Sequence, residues 1–443
     1  NLSKFSENII PELEVRFGTK KIKPISKIDF YNIIKILLNY NFKCANENYY
    51  LKIILDNEFS NIRTQISGLP NIQHYCKYNN IENIVDPNNI EFIEKEYFIK
   101  DNIKILPLDF DDYNFRLSFQ TEKFYSINEP TIKDVINKWT STKKIFRYIK
   151  RFEFTHPEMP VLIHCSIVKT SKTNNGKFIP QFNIKDSNVF NSNEHYEIEI
   201  ELNNVAVGID TKYSTGIEIH NKLKEVIKYI LIGIQQTNFP ISISEQNSII
   251  SNYLKIIKSK DYDESKKVNN YDFIGPSSYT LQLNNLIYED DINDTNKSIP
   301  NIRKNYTVTD KADGLRKLLF INSDGKIYLI NTLMNIEFTG ALTKEEELFD
   351  TIIDGEHILH DKNGEFINLF ASFDIYYVNT KNITGLPFID LIETKKTNDD
   401  KDDKDDKDDK DDKDKKTNYK KQNYRLIILK SLVKKLNPIS IIP

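Results

Sequence analysis

"HYEIEIELNN" (195–204) alternates charge and bulk with a period of two. In an extended strand, Glu197, Glu199 and Glu201 project to one face while Ile198, Ile200 and Leu202 project to the other. "ELEVRFG" (12–18) does the same with Glu12, Glu14 and Arg16, backed by Leu13, Val15 and Phe17. One such ladder reads as a sheet with a solvated face. Two ladders bracket strands that carry Arg63, Arg116, Arg147, Lys150 and Arg151, and that arrangement points elsewhere. Adjacent carboxylates repel unless cations neutralise them. A closed barrel with a polar interior would turn both ladders and the arginines inward. Oxygen-only clusters suit Mg²⁺ or Mn²⁺, and guanidinium groups match phosphate oxygens in pairs.

The surrounding sequence agrees with a β-rich first half. "YYLKIILDN", "NIRTQISG", "FRLSFQTEKF", "KIFRYIKRFEF" and "VLIHCSIVKT" are short runs separated by polar turns, the pattern of an all-β barrel or sandwich. "GIEIHNKLKEVIKYILIGIQQ" (216–236) and "SISEQNSIISNYLKIIK" (242–258) have the helical spacing of apolar residues. With 443 residues, the chain is long enough for two or three domains. A net charge of −3 leaves any nucleic-acid binding to local basic clusters. No 18-residue apolar run is free of charge. Cys44, Cys76 and Cys165 form no C-x-x-C pair, which argues against a disulfide framework or a structural zinc and fits a reducing compartment.

The second half holds a different constellation. "TDKADGLRKLLFI" (309–321) places Lys311, Asp313, Gly314 and Arg316 within six residues. Asp-Gly alone signals a hairpin turn, and "NSDGKIY" and "DKNGEFI" read as such turns. The company downstream sets "DKADGLR" apart. "TIIDGEHIL" supplies Glu356, and "NLFASFDIYYVN" supplies Phe373 before Asp374. A lysine amine attacks phosphorus only when neutral, which neighbouring cations or a metal can promote.

At the glutamate ladders the chain resembles the triphosphate tunnel metalloenzymes, most of all the RNA triphosphatase branch of capping enzymes in large DNA viruses and fungi. The resemblance spans about residues 10–205. It implies a metal-binding antiparallel β-tunnel in which Glu12, Glu14, Glu197, Glu199 and Glu201 hold metal or position water. Glu12, Glu14, Glu199 and Glu201 are the implied metal ligands. Arg16, Arg63, Arg116, Arg147, Lys150 and Arg151 are the implied phosphate contacts. Where that family carries an acidic residue with a threonine, "LIHCSIVK" offers His164 and Ser166. Around Lys311 the chain resembles motifs I, III and IIIa of the covalent nucleotidyltransferases, the superfamily of capping guanylyltransferases and ATP-dependent ligases. That resemblance implies Lys311 as nucleophile. It implies Asp313, Gly314, Arg316, Glu356 and Phe373 as nucleotide-binding residues, with Phe373 stacking on the base.

The two constellations in this order predict an α+β chain. An N-terminal β-tunnel (1–237) is followed by a helix and linker (238–270). A partial nucleotidyltransferase domain of ATP-grasp-like, ligase-type α+β architecture (271–443) completes it. "DDKDDKDDKDDKDDKDK" (399–415) has no apolar residue and is expected to be a disordered insertion spanning 395–419. The implied function is mRNA 5′ capping. An RNA 5′-triphosphate end loses its γ-phosphate, and GMP from GTP is then added through a lysyl intermediate. A cytoplasmic setting and a downstream cap methyltransferase are implied partners of that reading. Motifs IV and V of the nucleotidyltransferases are not found, so the chain is expected to be the front part of a longer protein. The alternatives are an ATP-dependent polynucleotide ligase and a non-catalytic capping scaffold.

Overall fold

The computed structural model describes residues 8–18, 22–82, 84–288, 299–303, 306–389 and 424–441. The acidic repeat and the expected insertion at 395–419 lie outside them. The chain divides into two compact units, Asn1–Ile243 and Ser244–Pro443.

The first unit is built on eight long strands: β1 (Ile9–Phe17), β2 (Lys43–Leu55), β3 (Ile62–Ser67), β4 (Ile90–Tyr97), β5 (Phe115–Tyr125), β6 (Lys144–Thr155), β7 (Val161–Thr170) and β8 (His195–Leu202). They run in the order β1-β8-β7-β6-β2-β3-β4-β5, and β5 pairs back onto β1. Every neighbouring pair is antiparallel, so the sheet closes into the expected tunnel. Closure removes the edges that an open sheet would expose.

Apolar side chains on the outward face of the strands pack under helices in two clusters. Val15, Phe17, Ile163, Cys165, Ile198 and Ile200 share one cluster with α1 (Lys27–Asn39) and the long helix Gly216–Gln235. Leu51, Ile53, Ile62, Ile66 and Phe146 share a second with α2 (Leu69–Tyr78) and α3 (Pro130–Asn137). The helix Gly216–Gln235, α4, comes close enough to α1 that a Cβ at Gly233 would stand 2.7 Å from the Ile33 Cα. α1 lies in a stretch read as β-rich. Phe30, Ile33 and Leu37 recur at three- and four-residue spacing and are buried, and Ser26 and Asp29 form a capping box at its start.

The second unit contains a sheet of five main strands. These are β9 (Leu315–Ile321), β10 (Lys326–Asn331), β11 (Ile336–Leu342), β12 (Thr351–His360) and β13 (Phe366–Val378). The order is β13-β12-β9-β10-β11, with two-residue strands at either edge. On one face, α5 (Ile243–Lys258) sets Tyr253 edge-on to Phe320 with ring centres 6.2 Å apart. On the other, Leu429 and Leu432 of α6 (Arg425–Lys435) pack against Leu319, Ile321, Ile353 and Ile375.

One expectation changes here. The helix and linker placed at 238–270 are not a separate segment. Glu245 accepts hydrogen bonds from Lys326 at 3.1 Å and from Tyr328 at 2.8 Å, and Tyr253 donates to the Asp272 carbonyl at 2.9 Å. Helix and following turns therefore belong to the second unit. Residues 306–313, which lead into β9, are irregular. No described strand lies alongside them to complete their backbone hydrogen bonds.

Candidate active site

Strand register brings the two glutamate ladders together. Glu14 stands opposite Glu201 of β8 and Ser118 of β5, and Arg16 stands opposite Glu199 and Arg116. His164 and Ser166 of β7 face Glu199 and Glu197 on one side, and Glu153 and Arg151 on the other. Because paired residues share a face, all of these side chains line the interior.

The interior charges interlock. Arg16 reaches Glu197 at 2.7 Å and Glu199 at 3.8 Å. Arg151 pairs with Glu199 at 3.1 Å and donates to Ser166 Oγ at 3.2 Å. Arg147 pairs with Glu197. Lys95 bridges Glu12 at 2.5 Å and Glu122 at 3.0 Å. His164 lies between Glu201 at 3.0 Å and Glu153 at 3.2 Å. Glu14 has no hydrogen bond or ion pair among the described residues.

These environments push the carboxyls apart. Burial, with Glu199 beside it, lifts Glu14 to about 8. Burial opposes ionisation of Glu199 as well, but Arg151, Arg16, Lys52 and Arg147 outweigh it and hold that carboxyl low. Burial raises Glu12, with Lys95 acting against it. Lys52 is depressed to about 8 by burial and by Arg151. The donor set fits a divalent cation: Glu12, Glu14, Glu199 and Glu201 are mutually repelling carboxylates, and Glu14 lacks a cation of its own.

A stability prediction follows from Glu14. Between the ordinary carboxylate value of 4.5 and about 8 the folded state holds a proton that the unfolded chain has released. Stability attributable to this group is therefore lost as pH rises through that window. Glu14→Gln should raise the melting temperature in metal-free buffer, more at pH 9 than at pH 5. An equal shift at both values would contradict the sign.

The expected phosphate contacts divide. Arg16, Arg147 and Arg151 line the acid cluster. Arg63 shares the inward face with Gln65 and Lys52. Arg116 is also inward but is held by Asp109 at 2.7 Å, from a short strand (Leu108–Phe110) beside β5. Lys150 is a correction. It alternates with Arg151, so it takes the outer face and pairs with Glu47 at 2.8 Å. Lys52, Lys95, Glu122 and Glu153 were not singled out in the sequence. Nothing in their local sequence names their partners, and strand register shows which face each takes.

In the second unit Lys311 is exposed and paired with Asp313, whose carboxylate raises the lysine above its ordinary value. Gly314 does not serve a turn. It lets the chain pass over β12, where a Cβ would lie 2.5 Å from the His357 carbonyl oxygen. Arg316 is opposite Glu356. Its guanidinium is bound to the buried Asp354 at 3.1 and 2.6 Å, and Tyr376 donates to the same carboxylate at 2.5 Å. Phe373 is the extra residue of a bulge: Asp374 faces Asp354 and Ser372 faces Gly355. The bulge leaves its ring exposed.

Lys317, one residue beyond Arg316, joins Glu337 at 2.5 Å and His357 at 3.0 Å. Both Lys317 and Glu337 are buried. Lys317→Met should destabilise the second unit by about 3–5 kcal/mol, because it strands a buried carboxylate. Adding Glu337→Leu should recover most of the loss in denaturant melts; failure to recover would mean the pair is not the cause.

Comparisons with known proteins add to this geometry. Residues 297–438 match the family model described as mRNA capping enzyme, catalytic domain. A probable mRNA-capping enzyme of Acanthamoeba polyphaga mimivirus is 29% identical over 193 residues, 43% of this chain and 14% of that protein. The chain resembles the viral mRNA-capping enzymes. Among solved structures, the mimivirus capping enzyme triphosphatase matches at 19% identity and a TM-score of 0.33, covering 51% of this chain and 90% of that one. The S. pombe Pct1 RNA triphosphatase matches at 12% identity and a TM-score of 0.26, covering 46% of this chain and 74% of that one. The mimivirus capping enzyme extends well beyond the matched stretch. No helix among the described residues is long and apolar enough to cross a membrane.

Proposed function

We propose that the first unit removes the γ-phosphate from an RNA 5′-triphosphate end and that the second carries the lysine for GMP transfer. The observation that carries the first part is the closed barrel whose interior joins an acid cluster to Arg16, Arg147, Arg151, Lys52 and Lys95. Glu12, Glu14, Glu199 and Glu201 would hold Mg²⁺ or Mn²⁺. The ion would supply positive charge to the phosphate oxygens as negative charge develops there.

The protein's own groups do the rest. Arg16, Arg147 and Arg151 each bind a carboxylate while presenting further N–H donors to phosphate oxygens. Glu14 orients the attacking water. The water's oxygen bonds to the γ-phosphorus and gives up a proton to solvent, the bond from γ-phosphorus to the bridging oxygen breaks, and the β-phosphate leaves with that oxygen. The products are a 5′-diphosphate RNA and inorganic phosphate.

In the second unit, the Lys311 amine attacks the α-phosphate of GTP and pyrophosphate leaves. The diphosphate RNA end then displaces the lysine. Glu356 and Phe373 serve the ribose and base. The family match across 297–438 favours guanylyl transfer over the adenylyl transfer of a ligase. A cap methyltransferase acting on the product is part of the same proposal. The test of the first part is release of labelled γ-phosphate. Arg151→Ala should lower kcat/KM by roughly 10²–10³-fold, whereas unchanged turnover would remove the tunnel from the reaction.

A further inference from the structure

β7 carries a residue that the acid ladders do not require. The His164 side chain is only 6% exposed, and both ring nitrogens have carboxylate partners. Nδ1 faces Glu201 at 3.0 Å, and Nε2 faces Glu153 at 3.2 Å. The ligand atoms of His164, Glu199 and Glu201 all lie within 4.8 Å of one another. Among the described residues Glu201 pairs with no lysine or arginine, while Glu199 already has Arg16 and Arg151.

One ring nitrogen thus faces the acid cluster, and a carboxylate holds the other from behind. A metal-binding imidazole is arranged this way. The outer carboxylate takes one N–H, fixes the tautomer and ring rotation, and leaves the other nitrogen bare for the ion. Two ligands at right angles about a small divalent ion, each about 2.1 Å from it, stand roughly 3 Å apart. Nδ1 and the Glu201 oxygen have that spacing at 3.0 Å.

We infer that His164 binds the tunnel's divalent ion through Nδ1, in a mixed nitrogen–oxygen set with Glu199 and Glu201, and that Glu153 is the carboxylate that orients it. The inference rests on the metal-dependent reading of the tunnel. It adds a nitrogen ligand to what the ladders alone present as an all-oxygen site. The imidazole keeps its proton on Nε2, toward Glu153, and any proton on Nδ1 leaves as the metal enters.

The test is direct spectroscopy on the full chain with one equivalent of Mn²⁺. Pulsed electron paramagnetic resonance should show nitrogen modulation from a directly bound imidazole. The pattern should change on ¹⁵N-histidine labelling and vanish in His164→Gln. Glu153→Gln should keep the modulation and weaken Mn²⁺ binding about 10–100-fold. Mn²⁺ bound at full strength with no nitrogen modulation would overturn the inference, leaving His164 as a counter-ion and the tunnel proposal intact. Failure of the chain to retain Mn²⁺ at all would overturn both.

Discussion

Glu199→Ala is expected to abolish γ-phosphate release, lowering kcat/KM by at least roughly 10³-fold. The residue sits where the two halves of the site meet. It is opposite Arg16 on β1 and His164 on β7, and it binds the guanidinium groups of Arg16 and Arg151. Its removal takes away a proposed metal ligand, leaves Arg151 without its carboxylate and leaves Arg16 with Glu197 alone. Those arginines would then be drawn to the remaining carboxylates, and the pocket would lose its charge order as well as a donor. Glu14→Ala is expected to give a loss of similar size for a different reason, because it removes a ladder carboxylate that has no hydrogen bond or ion pair among the described residues. Lys150→Ala is the control from the outer face and should stay within about twofold. Full turnover in both glutamate variants, measured with triphosphate-ended RNA and either metal, would sink the assignment.

The second large effect is at Lys311. Incubation with α-labelled GTP and a divalent metal should leave label on the denatured protein, and Lys311→Ala should carry none. The amine begins protonated, since Asp313 holds it above the usual lysine value. The neutral fraction therefore grows about tenfold for each pH unit below that value. Labelling should climb steeply between pH 7 and pH 9. Arg316 should matter less to the chemical step than its place in the motif implies, because Asp354 already binds it at two points. Label from ATP and not from GTP would replace the guanylyltransferase reading with the ligase one. Label that survives Lys311→Ala would remove the lysine from the chemistry.

The tunnel was legible because its decisive strands carry repeated charge. Three glutamates at spacing two, backed by Ile198, Ile200 and Leu202, can satisfy both faces only if one is dry and the other polar or metal-bound. Charges outside the ladders gave no such signal. Lys95 in "EFIEKEY" is flanked by glutamates on both sides, and nothing local says that Glu12 and Glu122 are its partners. Lys150 was misplaced for a related reason. In "FRYIKRF" three cations crowd five positions, and only pairing with β2 and β7 shows that Lys150 alternates out of phase with Arg147 and Arg151. α1 was hidden because its isoleucines favour strands, while its capping box and the burial of Phe30, Ile33 and Leu37 decide for helix. In the second unit neither the passage of Gly314 over His357 nor the bulge at Phe373 was legible, since each depends on the neighbouring strand β12 and not on local sequence.

We propose the barrel interior as a metal-dependent triphosphatase site. The most direct measurement is product identity from RNA bearing a 5′-triphosphate labelled at the γ position, with Mg²⁺ or Mn²⁺ and with a chelator. Labelled inorganic phosphate and diphosphate-ended RNA are expected, formed only when metal is present. Labelled pyrophosphate, or phosphate released equally in the chelator, would contradict it.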